Sequence, residues 1–562
     1  MKRTILSLLL AAVTFTIHAV EATVNGICFI TLDDSHAKVI VHETWDDENK
    51  CMIRDDYKGT LTIPSSVQIN DKTYTVTSIY IPDCPNLTTV NLPNTLEEIS
   101  LLGFDGCTGL TGIVLPSSLK KIGLSAFQNC PKLTEIRIPA SVREIGNAAF
   151  CTYGDSLKIT LTDLKAWLNV EIEEIIFNSN TTIFLNDEML KKVVIPDGIK
   201  IIKPNAFRGF KDITSVHIPA SVDSIGDDAF LGCTSISKVS TDDIASWCGI
   251  HFATTSFMMN GGSPIRLANP VGYSQNLYIG NTSIDELTIP EGVDSIGCAA
   301  FVRIKGLTTV NLPSTLRYVG PDAFLDCTDL RIVNIKSIQD YCQIYFASLG
   351  SSPFQDYIVN RNAFTWLLVN GKYVHDDKRI LYIPNGITEV KANAFANADP
   401  TETVIIPASV TKIGTNAFRN SVMNRFHTLC IKGHIEEMGE LAFGSCPYIS
   451  TIYIEDENPS EIPANTFTNY YYPQVGTLGS DYNYKHTKLM VPTGCKTIYE
   501  GTAGWNLFEN IEEFDVAAVH GIGMSTAVTT QYTLDGRIAS PDYKGIVLER
   551  MPDGSVRKVI KR

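Results

Sequence analysis

Histidine, serine and acidic side chains, which most often carry catalysis or bind metals, form no recognisable motif in this sequence. The chain has no HExxH, no GxSxG and no phosphate-binding glycine loop. Its ten histidines are scattered. Residues 42–50 include Asp46, Asp47 and Glu48, which could bind calcium, but the regular spacing of a calcium loop is missing and a charged hairpin tip explains them better. We therefore predict no catalytic, cofactor or metal site, and a protein that is not an enzyme.

The outward positions of the predicted strands favour recognition of other molecules over catalysis. Arg137, His217 and Tyr382 each stand two residues before a repeated proline, at positions expected to face away from the core. No acid pair or histidine cluster recurs along these positions, and such a mixed face suits broad, shallow contact. Ile380 and Ile405, near Tyr382, form either a partner patch or a surface covered by the C-terminal cap.

The stretch TNYYYPQVG is an aromatic loop near the end of the repeats. Exposed tyrosines offer a large contact area and a hydroxyl group, which suits recognition of proteins or sugars. Packing of the loop against the last repeats is the alternative. The predicted candidate binding surface comprises Arg137, His217, Tyr382, Tyr470, Tyr471 and Tyr472.

Composition narrows the class of protein. The chain has 562 residues, of which 44% are hydrophobic and 19% charged, which indicates a globular protein. Its net charge of −15 argues against nucleic acid and anionic lipid as partners, because both need a basic surface. No stretch after the N-terminus approaches about 18 uninterrupted apolar residues, so no transmembrane segment is predicted.

The first 22 residues have the pattern of a secretory signal peptide. Lys2 and Arg3 precede an apolar run that ends in small residues, with Ala19 or Ala22 as the cleavage position. We therefore expect a protein that is secreted or held at the outer cell surface.

A 23-residue repeat organises most of the chain. Apolar and more polar residues alternate before each repeated proline, which predicts a half-buried strand that the proline ends. A β-branched residue follows six positions after the proline, and Phe always follows eleven positions after it. One repeat of this size cannot bury its Phe alone, so we predict a mainly β solenoid of stacked repeats with short helical turns. The nine prolines are Pro93, Pro116, Pro139, Pro196, Pro219, Pro290, Pro313, Pro384 and Pro407.

A longer period of 94 residues is superimposed, since Pro196, Pro290 and Pro384 are that far apart. Each long unit adds a module that opens with DIASWCGIHFA or SIQDYCQIYFA, and DLKAWLNVEI resembles a shorter copy. We expect a helical turn there. Six of the fourteen cysteines keep the repeat register, so we interpret them as small buried residues; they are Cys84, Cys107, Cys130, Cys233, Cys327 and Cys446. Cys28 and Cys51 lie outside the repeats. A disulfide between them is one alternative, and two separate thiols are the other.

The pattern LxxIxIPxSVxxIGxxAFxxC resembles the BspA-like bacterial leucine-rich repeats, and LTEIRIPASVREIGNAAF matches it almost throughout. The resemblance implies an N-terminal β cap at 23–60 and a leucine-rich repeat solenoid at 61–515, in which Trp505 and Phe508 close the core. The segment 516–562 resembles the C-terminal sorting domains of Bacteroidetes proteins exported by the type IX route. A small β cap without a sorting role is the alternative for this segment.

Members of that family are typically surface-exposed or secreted, and some are associated with adhesion. The resemblance implies a non-enzymatic protein that mediates protein–protein or cell adhesion, with host extracellular matrix or bacterial surface macromolecules as partners. A structural envelope or spacer protein is the alternative, and a glycan-binding protein is a more remote one. We predict no cofactor.

Overall fold

The computed structural model describes residues 19–41, 43–46, 51–54, 57–253, 256–257, 265–266, 268–354, 365–377, 379–398, 401–420, 426–469, 479–516, 530–533, 545–550 and 556–561. The predicted tyrosine site, Tyr470, Tyr471 and Tyr472, and residues 1–18 of the predicted signal peptide lie outside these ranges. The chain divides into two compact units. Unit 1 comprises Met1–Val239 and Ala253–Ser274, and unit 2 comprises Ser240–Phe252 and Gln275–Arg562.

The predicted mainly β solenoid is confirmed, with about 17 turns. A repeat contributes a strand that leads to the proline, here called the pre-proline strand, and a two-residue post-proline strand. In the repeat around Pro139, the pre-proline strand Glu135–Ile138 buries Ile136 and Ile138 and exposes the residues between them. Parallel pairing places each residue beside its counterpart in the next repeat, so inward residues such as Ile136 and Ile159 form an apolar row.

In unit 1, one nine-stranded sheet joins the N-terminal segment to the post-proline strands. Its members are Glu21–Val24, Ile27–Thr31, His36–Ile40, Ser66–Ile69, Lys72–Tyr80, Glu98–Ile99, Lys121–Ile122, Glu144–Ile145 and Glu171–Ile172. The strands Ile201–Ile202 and Ser224–Ile225 continue the post-proline series. The predicted N-terminal cap thus extends the same hydrogen-bonded ladder as the repeats.

The pre-proline strands of unit 1 form separate sheets. They are Gly59–Thr62, Leu87–Asn91 and Gly112–Ile113; then Glu135–Ile138, Leu157–Leu161, Thr181–Leu185 and Glu188–Met189; then Lys192–Val194 and Ser215–Ile218, with Lys238–Thr241 at the unit boundary. Two hairpins, Glu43–Asp46 with Cys51–Arg54 and Ser256–Phe257 with Ile265–Arg266, and the helices Leu164–Trp167 and Val271–Ser274 complete the unit.

Unit 2 repeats this plan. Its pre-proline sheets contain Glu286–Thr288, Thr309–Asn311, Ile332–Ile335, Trp366–Val369 and Lys372–Tyr373, and then Ile380–Tyr382, Thr403–Ile406, Thr428–Ile431, Thr451–Ile454, Lys488–Pro492 and Asn510–Phe514. Its post-proline strands are Ser295–Ile296, Tyr318–Val319 and Tyr345–Phe346, and Glu389–Val390, Lys412–Ile413 and Glu437–Met438. The strands His251–Phe252, Leu277–Ile279 and Thr282–Ser283 precede them.

The helices of unit 2 are short. They are Ile244–Gly249, Ile338–Cys342, Tyr482–His486 and Lys496–Gly501, with 3-10 turns at Leu349–Ser351 and Trp505–Leu507. The C-terminal segment contains a three-stranded antiparallel sheet of Thr530–Thr533, Gly545–Arg550 and Val556–Lys561.

The repeated phenylalanines stack in the core, as the sequence predicts. In unit 1 the rings of Phe104, Phe127 and Phe150 lie 5.4 and 5.8 Å apart and nearly parallel. All three side chains are fully buried. In unit 2 the rows Phe301–Phe324 and Phe395–Phe418–Phe443–Phe467 have centroid spacings of 5.1 to 5.5 Å. Trp505 and Phe508 close the second row, since both rings contact Phe467.

The segment around each Phe has a special backbone. Asn205, two residues before Phe207, has φ of 60°, a left-handed conformation that Asn tolerates well. This conformation lets alternate N–H groups point to the next repeat, so Phe207 N donates to Ala229 O over 2.8 Å. Repeats also approach closely at the recurring IG step of the pattern: a Cβ on Gly146 would lie 2.4 Å from Leu124 N.

The predicted helical turns of the long modules are confirmed, and they fill a defined role. Asp243 caps the helix Ile244–Gly249 by accepting from Ser246 N over 2.8 Å. Trp247 is fully buried, and its Nε1 donates to Ala300 O over 2.9 Å. The corresponding residues Trp167 and Tyr341 donate in the same way to Ala206 O and Ala394 O. The module therefore ties its helix to the turn of a following repeat in its own unit.

The repeat cysteines are buried, as predicted, and they also donate hydrogen bonds. Sγ of Cys130 lies 3.1 Å from Phe104 O, and Sγ of Cys233 lies 3.0 Å from Phe207 O. Cys28 lies outside the repeats and donates to Glu21 Oε1 over 3.2 Å. The side chain of Cys51 lies outside the described part of the chain, so the structure does not test whether the two cysteines are bonded to each other.

Candidate functional site

The outward faces of the pre-proline sheets are the candidate site, and the predicted residues do not converge there. Arg137 and His217 lie on different sheets of unit 1, and Tyr382 lies in unit 2. Each occupies the outward position that the sequence predicts, flanked along its strand by residues that point to the core. The three side chains therefore mark three separate surfaces.

Arg137 belongs to a charged surface. Its guanidinium Nη2 lies 2.5 Å from Asp187 Oδ1, and both side chains are about half exposed. On the next strand, Lys158 Nζ contacts Glu135 Oε1 at 3.0 Å and lies 4.9 Å from the centre of the Phe184 ring. Such exposed ion pairs contribute little stability, so these charges are free to exchange partners at low cost.

His217 lies on a more apolar surface. The parallel register places it directly beside Val194, whose side chain is 60% exposed. An imidazole next to an exposed aliphatic side chain combines a polar group that can be charged with an apolar contact area. This pair could contact a partner without any change in the strand.

Tyr382 lies in an apolar outward cluster of unit 2. Ile380, Ile405 and Cys430 are only 9%, 7% and 5% exposed there, and Tyr382 and Tyr453 pack against them. Burial raises the pKa of the Tyr382 hydroxyl. The sequence left open whether Ile380 and Ile405 form an exposed patch. The structure shows that they are buried, so only the rim of the cluster is accessible.

An aromatic surface in unit 2 was missed by the sequence interpretation. The rings of Trp366 and Tyr373 meet edge to face at 5.1 Å, and Tyr373 is 54% exposed. The register aligns Tyr373 with Leu368 and Leu368 with Asn334, which puts them on one outward face. The signal was present, since WLLVNGKY reads as a hairpin with large residues at alternate positions.

A row of amides continues that surface. Asn334 Nδ2 donates to Asn311 Oδ1 over 3.2 Å, and Asn311 Nδ2 donates to Glu286 Oε1 over 2.7 Å and to Thr288 Oγ1 over 3.0 Å. These hydrogen bonds hold the side chains of the row in a fixed arrangement.

The described residues show no metal site. In those ranges, no group of three or more His, Cys, Asp and Glu side chains is placed to hold a metal ion. A cavity of about 10 Å³, beside Tyr499 and Trp505, has room for about one water molecule. Among the described helices, none has the length and apolar character needed to cross a membrane.

Comparison with known proteins is consistent with this architecture. The family model described as the BspA type leucine rich repeat region, in six copies, matches residues 74–187, 178–256, 274–364 and 377–474, which is more than half of the chain. No curated protein matches.

Solved structures of leucine-rich repeat proteins also match. A leucine-rich repeat protein from Bacteroides ovatus is 19% identical, with 75% of this chain and 95% of that chain covered and a TM-score of 0.33. The pneumococcal vaccine antigen PcpA is 17% identical, with 88% and 99% covered and a TM-score of 0.30. A leucine rich cell surface protein from Faecalibacterium prausnitzii is 16% identical, with 90% and 98% covered and a TM-score of 0.23.

Proposed function

The chain belongs to the BspA-type leucine-rich repeat family, and from that premise we propose that it is a binding protein of the cell exterior. It contacts macromolecules of the host extracellular matrix or of bacterial surfaces through the outward faces of its pre-proline sheets. Secretion or display at the outer surface agrees with the signal-peptide pattern of the first 22 residues.

The observation that carries the proposal is the contrast between the two sides of each pre-proline strand. Inward positions such as Val216 and Val193 are apolar and 1% exposed. Outward positions change character from repeat to repeat, from the exposed Val114, at 80%, to the charged Arg137. Inward positions are committed to stability, whereas outward positions can vary without cost to the core.

Two surfaces supply different binding chemistry. The charged surface around Arg137 suits an acidic or mixed-charge partner, which such a surface can orient. The aromatic surface of Trp366 and Tyr373, with its amide row, suits a sugar-bearing partner, because a ring face packs against sugar C–H groups while amides bond to hydroxyls. This second surface supports the glycan-binding alternative as a way to bind a glycosylated partner.

Binding to immobilised matrix and bacterial-surface preparations tests the proposal. A triple variant, Arg137→Ala, His217→Ala and Tyr382→Ala, should weaken binding while thermal unfolding stays close to wild type. The matched control replaces Lys121, His251 and Tyr345, which carry similar groups on post-proline strands. The variant of Tyr470, Tyr471 and Tyr472 tests the predicted loop separately.

The outcomes separate the hypotheses. Loss in the first triple variant alone supports the outward pre-proline faces. Equal loss in both triple variants rejects that location, and a wild-type protein that binds none of the preparations supports the spacer alternative. Loss only in Trp366→Ala, and only on glycosylated partners, supports glycan binding.

For the segment 516–562 we propose export or surface attachment, on the basis of its resemblance to type IX sorting domains. Its three short strands form a sheet of their own.

A further inference from the structure

Three side chains of unit 2 have the arrangement of a Ser–His–Asp catalytic triad. Asp456 Oδ2 lies 2.9 Å from His434 Nδ1, and Ser460 Oγ lies 3.3 Å from His434 Nε2. We propose that Ser460 is the nucleophile of an ester-hydrolysing site, with His434 as its general base and Asp456 as the residue that orients the imidazole. The two contacts use different ring nitrogens, as the triad mechanism requires.

The repeat architecture brings these residues together. His434 is separated by 22 residues from Asp456 and by 26 from Ser460, which is about one repeat. The register pairs Ile431 with Ile454, so the segments that follow these two strands start side by side. No local motif is needed for this geometry, which explains why a search for GxSxG finds nothing.

The scaffold of the site is rigid. Asp456 Oδ1 accepts from Asn458 N over 3.0 Å, and Asp456 O accepts from the Tyr499 hydroxyl over 2.9 Å. Ser460 O accepts from Trp505 Nε1 over 3.0 Å. Tyr499 and Trp505 are 0% and 3% exposed, so both loop residues are tied to the packed core. Catalytic groups held by a buried supporting layer keep their geometry.

The backbone just before His434 is also constrained. A Cβ on the preceding residue, Gly433, would lie 2.5 Å from Ala408 Cα, so only glycine allows this close approach. The carboxylate of Asp456 is 11% exposed, whereas the imidazole of His434 is 47% exposed. The orienting group is therefore shielded from water, and the base is open to a substrate.

Backbone donors lie next to the nucleophile along the chain. Within the described ranges, the backbone N–H groups of Ser460 and Glu461 donate to no backbone carbonyl. Backbone N–H groups next to a nucleophilic serine can stabilise the negative oxygen of a tetrahedral intermediate. The neighbouring Glu455, Glu457 and Glu461 are acidic, so the site favours neutral or cationic esters over anionic ones.

The reaction needs no reagent besides water. His434 Nε2 takes the hydroxyl proton while Ser460 Oγ forms a bond to the ester carbonyl carbon. The bond to the alcohol oxygen then breaks, and the alcohol leaves with the proton from His434. Water attacks the acyl-serine with the same base, which releases the carboxylic acid and restores Ser460.

Labelling of the full-length protein by a fluorophosphonate probe, with peptide mass spectrometry, tests the proposal. Folded wild type should be labelled at Ser460 and should hydrolyse p-nitrophenyl acetate above the buffer rate. Ser460→Ala and His434→Ala should each lower that excess rate roughly tenfold or more, and Asp456→Asn should lower it as well. The matched control is Ser450→Ala, which removes an exposed hydroxyl bonded only to a backbone carbonyl and should leave the rate unchanged.

Thermal unfolding of each variant shows whether it is folded. The proposal is overturned if folded wild type is not labelled at Ser460, or if labelling and ester hydrolysis persist in folded His434→Ala. These readouts use no adhesion partner, so they are independent of the proposed binding function.

Discussion

The single residue that best reports on the core is a repeat phenylalanine. Phe127 is fully buried and lies between Phe104 and Phe150, with which it stacks at 5.4 and 5.8 Å. We expect Phe127→Ala to lower the free energy of unfolding of its region by about 3–5 kcal/mol, because it removes the ring and leaves a cavity. Denaturant unfolding and limited proteolysis measure this change.

Val114 provides the control on the outer side of the same region. Its side chain is 80% exposed, so Val114→Ala should change stability by less than about 0.5 kcal/mol. Equal losses in the two variants would show that the Phe row does not form the core.

The buried thiols predict an alkaline limit to stability. Burial raises the pKa of Cys233 and of Cys327 from about 9 to about 12. Between those pH values the unfolded chain loses thiol protons that the folded chain keeps. The contribution of these thiols to the free energy of unfolding is therefore fully present below pH 9 and falls as the pH rises toward 12. The midpoint of denaturant unfolding across this range, with Cys233→Ala and Cys327→Ala for comparison, measures the effect.

The two variants should show a shallower decline than wild type. Iodoacetamide should leave these thiols unmodified in the folded protein and alkylate them after denaturation, because the thiolate is the reactive form. A disulfide at either position, or rapid alkylation of the native protein, would contradict this prediction.

At the scale of the element, the buried aromatic residue in the helix of each long module donates a hydrogen bond to a following repeat. The Tyr341 hydroxyl donates to Ala394 O over 2.6 Å, and Tyr341 is 1% exposed. Tyr341→Phe keeps the ring but leaves the carbonyl without its donor, so we expect a loss of about 1–3 kcal/mol in the unfolding of unit 2.

The matched control for this element is Tyr345→Phe. Tyr345 is 44% exposed and stacks on Tyr318 at the surface, so losing its hydroxyl should have almost no effect on stability. Calorimetry of both variants measures the difference. The same small change in both would indicate that the Tyr341 hydrogen bond does not stabilise the module.

The sequence predicts the environment of a residue where that environment depends only on the residue's place in the repeat. The period places Phe127 inside and identifies Trp247 and Tyr341 as equivalent, because equivalent residues in stacked repeats share an environment. It does not give contacts between loops of neighbouring repeats, which depend on their exact paths. His434 and Ser460 meet through such loops.

The repeat also does not predict how exposed an outward side chain is, because neighbouring side chains can cover it. Ile405 has the outward register of Val114, but it is 7% exposed instead of 80%. The difference arises from bulky neighbours such as Tyr382 in the same cluster. Alternation therefore predicts the direction of a side chain but not its exposure.

At the scale of the whole molecule, the repeats and the C-terminal segment are expected to be separable in function. Phe467, Trp505 and Phe508 contact one another in the buried end of the unit 2 core. Within the described ranges, the last pre-proline strand ends at Phe514, and the three strands of the C-terminal segment form a separate sheet. The core therefore has its aromatic end before residue 516.

We predict that a chain without residues 516–562 folds and binds like the full-length protein but is not exported to, or displayed at, the cell surface. The reason is that the deletion removes none of the core aromatic residues and none of the outward pre-proline positions proposed for binding. Thermal unfolding and binding of the purified chain, together with surface labelling of cells, measure the three properties. A large fall in unfolding temperature would show that the segment stabilises the repeats, and normal surface display would remove the case for a sorting role.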